Sequence, residues 1–199
     1  MPPSRPDLEL APGLRRWTAW REEWEEDVGA VAVETDEGLV LIDPIDPPEE
    51  LSRPAHVLLT VFWHGRTTAE LGGRVWAGGR SARPLENRGI SVTDLARPET
   101  VLPGGIRAFQ TARPAELLYW LPEHRSVVLG DVLLGAGAKP HATVDQLRLC
   151  PERWLGKATH EDLRKSLRPL LDLPVERMLV SHGEPVLRHG KRLLERLLG

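Results

Sequence analysis

The sequence predicts an α/β domain of stacked sheet and helix layers, and three observations predict it. Short apolar runs of strand length recur between Val28 and Val180, and one of them, His56–Thr60, lacks alternation, as a strand buried on both faces does. Leu163, Leu167, Leu170 and Leu171 make a single stripe at helical spacing. Runs of strands interrupted by a few helices are the pattern of a layered sheet-and-helix domain.

Taken in order, residues 1–13 carry four prolines and one glycine and read as an irregular leader. Trp17, Trp20 and Trp24 follow at helical spacing, with glutamates that favour a helix. From Val28 the pattern turns to β: Val28-Gly-Ala-Val-Ala-Val33, a turn at Asp36-Glu37-Gly38, then Leu39-Val-Leu-Ile42. Prolines 44, 47 and 48 take the chain out of the sheet. After His56–Thr60, Thr67–Leu71 reads as a helix start with a threonine cap and an early glutamate. Arg74–Ala77 is a brief strand, and residues 80–100 are polar and proline-punctuated with a strand near Ile90–Val92. Gly105–Phe109, Leu117–Leu121 and Ser126–Leu129 read as successive strands, the last two joined by a turn at Pro122–Arg125. A glycine-rich loop covers Gly135–Pro140, a helix 159–171, a strand Met178–Val180, and a closing helix Gly190–Leu198.

Length and charge bound the function. With 199 residues, one domain spanning 1–199 is expected, large enough to bury a core without staples. Against 26 basic residues stand 29 acidic ones, and no run of Arg or Lys exceeds two, so nucleic acid and anionic membrane are not expected partners. Cys150 is the single cysteine, which excludes a thiolate-rich zinc or iron–sulfur site and an internal disulfide. No apolar stretch approaches the ~20 residues of a membrane span, and the expected compartment is the cytoplasm.

Five segments in order carry more. They are Val33-Glu-Thr-Asp-Glu-Gly-Leu-Val-Leu-Ile-Asp43-Pro44; Val57-Leu-Leu-Thr60 with Val61-Phe-Trp-His64-Gly-Arg66 after it; Thr111-Ala-Arg-Pro114; Gly130-Asp131; and Ser181-His182-Gly183-Glu184-Pro185. From about Val28 onward this order and spacing resemble the metallo-β-lactamase superfamily. The resemblance implies a four-layer αββα sandwich of mixed sheets with metal ligands on strand-end loops along one edge. It also implies a strand, rather than a helix, around Trp17-Thr-Ala-Trp20.

The same resemblance implies that the two-metal centre is largely lost. Aligned on Thr60, the four ligand positions of the family's Thr-His-x-His-x-Asp-His motif fall on Val61, Trp63, Gly65 and Arg66, and the third-motif histidine falls on Arg113. None of these five binds a divalent ion, and an arginine keeps its charge and repels one. The bridging aspartate (Asp131) and the fifth-motif histidine (His182) are retained, as are Asp43 and Thr60, which the family uses as supporting residues. Two ions close together need more ligands than that.

Two readings of different class follow. In one, the chain is hydrolase-like, and His64 joins Asp131 and His182 to hold at most one divalent metal, zinc, with a water completing the site. In the other it is a metal-free binding or structural protein. There Asp131 and His182 are held by hydrogen bonds, and Arg66 and Arg113 either brace the old site by ion pairs or bind the anion of a small-molecule ligand. Trp63 and Trp120 are read as pocket lining or packing, and His124, His141, His160 and His189 as solvated. No motif selects a substrate.

Overall fold

The computed structural model describes residues 8–98, 100–140 and 143–199. The first seven residues of the proline-rich leader and His141 lie outside that set. Strands β1 (Leu8–Ala11), β2 (Leu14–Arg21), β3 (Glu26–Thr35) and β4 (Gly38–Ile42) form an antiparallel meander. β5 (His56–Leu59), β6 (Arg74–Ala77) and β7 (Asp94–Leu95) continue it in parallel, giving one mixed sheet in chain order. β8 (Arg107–Gln110), β9 (Leu117–Leu121) and β10 (Ser126–Leu129) start a second sheet, β11 (Leu133–Gly135) and β12 (Leu147–Leu149) pair as a ribbon, and β13 (Arg177–Val180) joins the second sheet parallel to β10. The helices are α1 (Gly79–Glu86), α2 (His160–Leu167) and α3 (Gly190–Leu198).

Alternation along the strands makes the layers. In β9, Leu117, Tyr119 and Leu121 enter the core between the sheets with Val31, Val33, Ile42 and Leu58. Leu118 and Trp120 face the other way and pack with Leu163 and Leu167 of α2 and Leu194 and Leu198 of α3. On the far side of the first sheet, Val57, Leu59, Val75 and Ala77 pack against Leu85 of α1. Each such Val, Leu or Ile side chain contributes about 1.5–3 kcal/mol by leaving water. The layers run α1, first sheet, second sheet, α2 with α3: the αββα sandwich of mixed sheets that the resemblance implied.

Several local readings are corrected. Residues 8–11 of the leader form an edge strand. Trp17 and Trp20 lie in β2, the strand that the resemblance implied against their helical spacing, whereas Trp24 sits in the turn that follows. Thr67 begins no helix: 3-10 turns cover Phe62–Glu70, and its hydroxyl donates to the Pro44 carbonyl. α1 forms at the start of the polar, proline-punctuated stretch, with Pro84 inside it, and the strand expected near Ile90–Val92 is β7, slightly later. β11 and β12 flank the glycine-rich loop. The helix read over 159–171 is α2 followed by 3-10 turns from Arg168, where Pro169 removes an amide donor.

Candidate metal centre

Parallel pairing sets the site. β4 and β5 run side by side with Ile42 opposite Leu58, so Asp43 and Thr60 leave the first sheet at the same edge. β10 and β13 run side by side with Leu129 opposite Val180, so Asp131 and His182, each two residues further on, leave the second sheet together. Asp43 has a φ of 51°, a left-handed conformation that aspartate tolerates better than most residues. That turn aims its carboxylate at the Thr60 amide (2.8 Å) and hydroxyl. The Gly130 that precedes Asp131 has a packing reason: a Cβ there would meet Glu116 Oε1 at 2.7 Å and Thr60 Oγ1 at 2.8 Å.

The His182 loop is sewn down by backbone. Gly29 N–H donates to Ser181 O (2.8 Å) and Gly135 N–H to His182 O (2.9 Å). Gly183 has a φ of +82°, and a Cβ on it would lie 2.6 Å from Ala136 O and 2.7 Å from Gly135 O. Gly183→Ala is therefore expected to push the loop off β11 and to destabilise the protein by roughly 1–3 kcal/mol. Chemical denaturation measures this, and a variant as stable as its parent would contradict the packing described.

The structure brings His64, Asp131 and His182 together, with one possible ligand atom of each lying within 4.8 Å of the others. His64 is buried on the 3-10 turns after Thr60, not at the surface. Its Nδ1 lies 2.8 Å from Asp43 Oδ2, and its Nε2 lies 3.1 Å from Asp131 Oδ1. His182 repeats the arrangement: Nδ1 is 3.3 Å from Glu26 Oε2 and Nε2 is 3.3 Å from Asp131 Oδ1. A carboxylate behind an imidazole accepts the hydrogen bond from Nδ1–H, so that the proton stays on Nδ1 and the Nε2 lone pair faces inward, the tautomer a metal requires. Ligand atoms around a tetrahedral zinc stand roughly 3.3 Å apart when the bonds are about 2.0–2.1 Å. The residues present fit one such ion with a fourth position open. Among the described residues this is the one group of three with that arrangement.

The electrostatics are those of a site awaiting either two protons or one cation. Burial and the Arg66 guanidinium oppose charge on His64, but Asp43 and Asp131 outweigh them and raise its pKa above the usual histidine value. Burial also opposes charge on His182, yet Asp131 and Glu26 hold it up at about 9. Burial would raise Asp131, but His64 and His182 pull it well below the carboxylate range. Trp63 Nε1–H donates to Asp131 Oδ2 at 2.7 Å, which leaves Oδ1 to the two histidines.

The two arginines separate. Arg113 pairs with buried Glu116 at 2.8 Å, lies 3.7 Å from Asp131 Oδ2, and sits 5.2 Å over the Trp63 ring. Arg66 is half-buried behind the site, where Nη1–H donates to the Asp43 carbonyl at 3.2 Å, and it does not line the cavity described next. A cavity of about 520 Å³ opens over the centre, with Trp24, Trp63 and Trp154 as its apolar walls and Arg113 and Lys139 as its cations. Trp63 thus lines the cavity, while Trp120 belongs to the core under the helices. Of the histidines read as solvated, His189 is exposed, whereas His124 and His160 are half-buried, His160 with Nε2 2.7 Å from the Cys150 carbonyl.

Sequence reasoning missed Glu26 and Glu116. Glu26 is the last of a run of glutamates and looks like its exposed neighbours until β3 carries it under His182. Glu116 accepts the Asp131 amide at 2.8 Å and the Val132 amide at 3.0 Å, and it is pushed to about 7 by burial first and Asp131 next, against Arg113. No motif marks it.

No protein-family model matches the chain, and no curated protein matches its sequence. Solved structures do. A metallo-β-lactamase from Hirschia baltica is 12% identical, with a TM-score of 0.69 covering 98% of this chain and 96% of that one. The metallo-β-lactamase FIM-1 from Pseudomonas aeruginosa, in a mono-zinc form, is 14% identical, with a TM-score of 0.66 covering 98% and 95%. TTHA1623, in a di-iron-bound form, is 24% identical, with a TM-score of 0.58 covering 85% and 94%. At these identities the likeness is one of fold.

Proposed function

We propose, for a chain that carries the metallo-β-lactamase fold, a hydrolase acting on a small molecule with one divalent metal ion, zinc the expected one, held by His64, Asp131 and His182. The observation that carries the reading is the pair of backed imidazoles: Asp43 behind His64, Glu26 behind His182, and both Nε2 atoms converging on Asp131 Oδ1. A second ion has no such support. Trp63 holds Asp131 Oδ2, and Arg113 brings a fixed positive charge to 3.7 Å from that oxygen.

When bound, such an ion supplies Lewis acidity, polarising the scissile group and lowering the pKa of a water. The chain's own residues do the rest. Asp43 and Glu26 fix the two rings, Arg113 offers charge to an anionic oxygen of the substrate, and the three tryptophans receive its apolar part and thin out water. Glu26→Gln is expected to weaken zinc retention about 10- to 100-fold, read by competition with a chromophoric chelator, because it removes the charge behind His182. Equal retention would count against Glu26 as a supporting residue.

The test of the reaction is a panel of esters, thioesters, lactones, lactams and phosphodiesters offered to protein carrying one equivalent of zinc. Turnover of one class, lost in Asp131→Asn, is the expected result; no turnover of any class by the loaded protein would sink the hydrolytic reading. One observation favours a second, metal-free binding reading. Trp63, His64 and His182 together satisfy Asp131 without an ion when both rings are protonated. A protein that retains no metal at any pH would support that reading instead.

A further inference from the structure

Beyond the cavity over the centre lies a second one of about 860 Å³, and the two share Trp63, Arg113 and Trp154 as a common wall. Arg80 and Arg83 line it from α1, where their spacing of three places them on one face, and Lys157 lines it from the segment before α2. Among the described residues no carboxylate lines it. Among the described residues Arg80, Arg83 and Lys157 make no ion pair, in contrast to Arg15, Arg21, Arg74 and Lys139, each of which has an acidic partner. Arg113 is only 7% exposed; Glu116 engages its Nη1, and its Nε is buried with no hydrogen-bond partner. An arginine so placed is half answered by the protein.

We infer that this second cavity receives the phosphate-bearing tail of a substrate whose reacting end lies over His64, Asp131 and His182. The inference rests on the proposed hydrolytic reading for the reacting end only; the tail site stands on its own residues. Arg80, Arg83 and Lys157 facing one cleft without an ion-pair partner, beside an Arg113 that Glu116 already engages, exceed what a single carboxylate would answer, whereas a phosphate carries more charge and more acceptor oxygens, and the arginine fork matches two of them at once. Trp63 and Trp154, on the shared wall, offer a face to the flat or apolar unit joining tail to reacting end. The tail would select substrates by charge at a distance from the reacting atoms, where it can tighten binding without touching the chemistry.

The experiment measures pyrophosphate binding to the full chain, desalted free of metal and chelator, by tryptophan fluorescence and calorimetry. Binding that weakens with added salt is expected, falling on the order of tenfold or more in an Arg80→Ala/Arg83→Ala double variant. Both positions are exposed, so unchanged circular dichroism is the folding control. Arg192→Ala, in the separate arginine row of α3, should leave affinity unchanged. Failure of the parent to bind, equal affinity in the double variant, or loss of binding in Arg192→Ala instead would each overturn the inference. Pyrophosphate binding that is lost in the double variant of a protein retaining no metal would support the tail site while overturning the hydrolytic reading.

Discussion

Asp131→Ala is expected to retain no metal and, metal-free, to unfold at a thermal midpoint roughly 6–20 °C below its parent. The range follows from about 3–5 kcal/mol for breaking a buried charged pair and about 2–4 °C per kcal/mol at this chain length. The loss strikes several partners at once: Nε2 of His64, Nε2 of His182 and Nε1–H of Trp63 all point at this one carboxylate, and Arg113 lies beside it. The imidazoles can escape by giving up their protons, so the deficit should be largest below pH 6.5 and shrink above it. Asp131→Asn, which keeps an acceptor for Trp63 but no charge, should fall between. Scanning calorimetry of the metal-free proteins makes the comparison, and an unchanged midpoint for Asp131→Ala would mean that the carboxylate does not bind this network together.

The second large effect is on pH. Ligation requires both Nε2 atoms without protons, while the metal-free site holds His182 protonated up to about 9 and His64 protonated above its usual range. Filling the site at pH 7 therefore releases the His182 proton and up to one more from His64, and zinc affinity should fall by up to about a hundredfold for each unit of pH lost once both rings are protonated. Calorimetry in buffers of different ionisation heat counts the protons directly; a count near zero would contradict the network. Stability of the metal-free protein carries the opposite sign. A folded pKa raised from 6.5 to about 9 gives His182 a contribution fully present below pH 6.5 and lost as pH rises through 9. The metal-free protein should therefore melt lower at pH 9 than at pH 6.5, and the difference should shrink in His182→Ala, His64 supplying the remainder.

Much of this was legible in the chain. The apolar runs from Val28 to Val180 alternate where a sheet faces two different layers, and they placed the strands that frame the site. Asp43, Thr60, Asp131 and His182 stood out because each closes a strand. His64 stood out because it lies three residues past the vacated ligand position at Val61 on the same loop, and the 3-10 geometry brings its Nδ1 to 3.1 Å from the Thr60 hydroxyl and within reach of Asp43. What stayed hidden depends on distant parts of the chain. Glu26 meets His182 across 156 residues, and Glu116 becomes a buried acid only because the turn after Asp131 closes over it. α1 was hidden by Pro84 and by its eight-residue length, and β11 and β12 by their brevity. Arg66 and Arg113 look equivalent as letters, yet one braces Asp43 from behind and the other faces two cavities.

The most direct test of the central claim is the metal content of the purified, untagged protein, measured before and after incubation with zinc, manganese or iron salts and desalting. About one equivalent of tightly held ion, zinc above the others, absent from His64→Ala, is the predicted result. No retained metal under any of these conditions, or two equivalents, would contradict it.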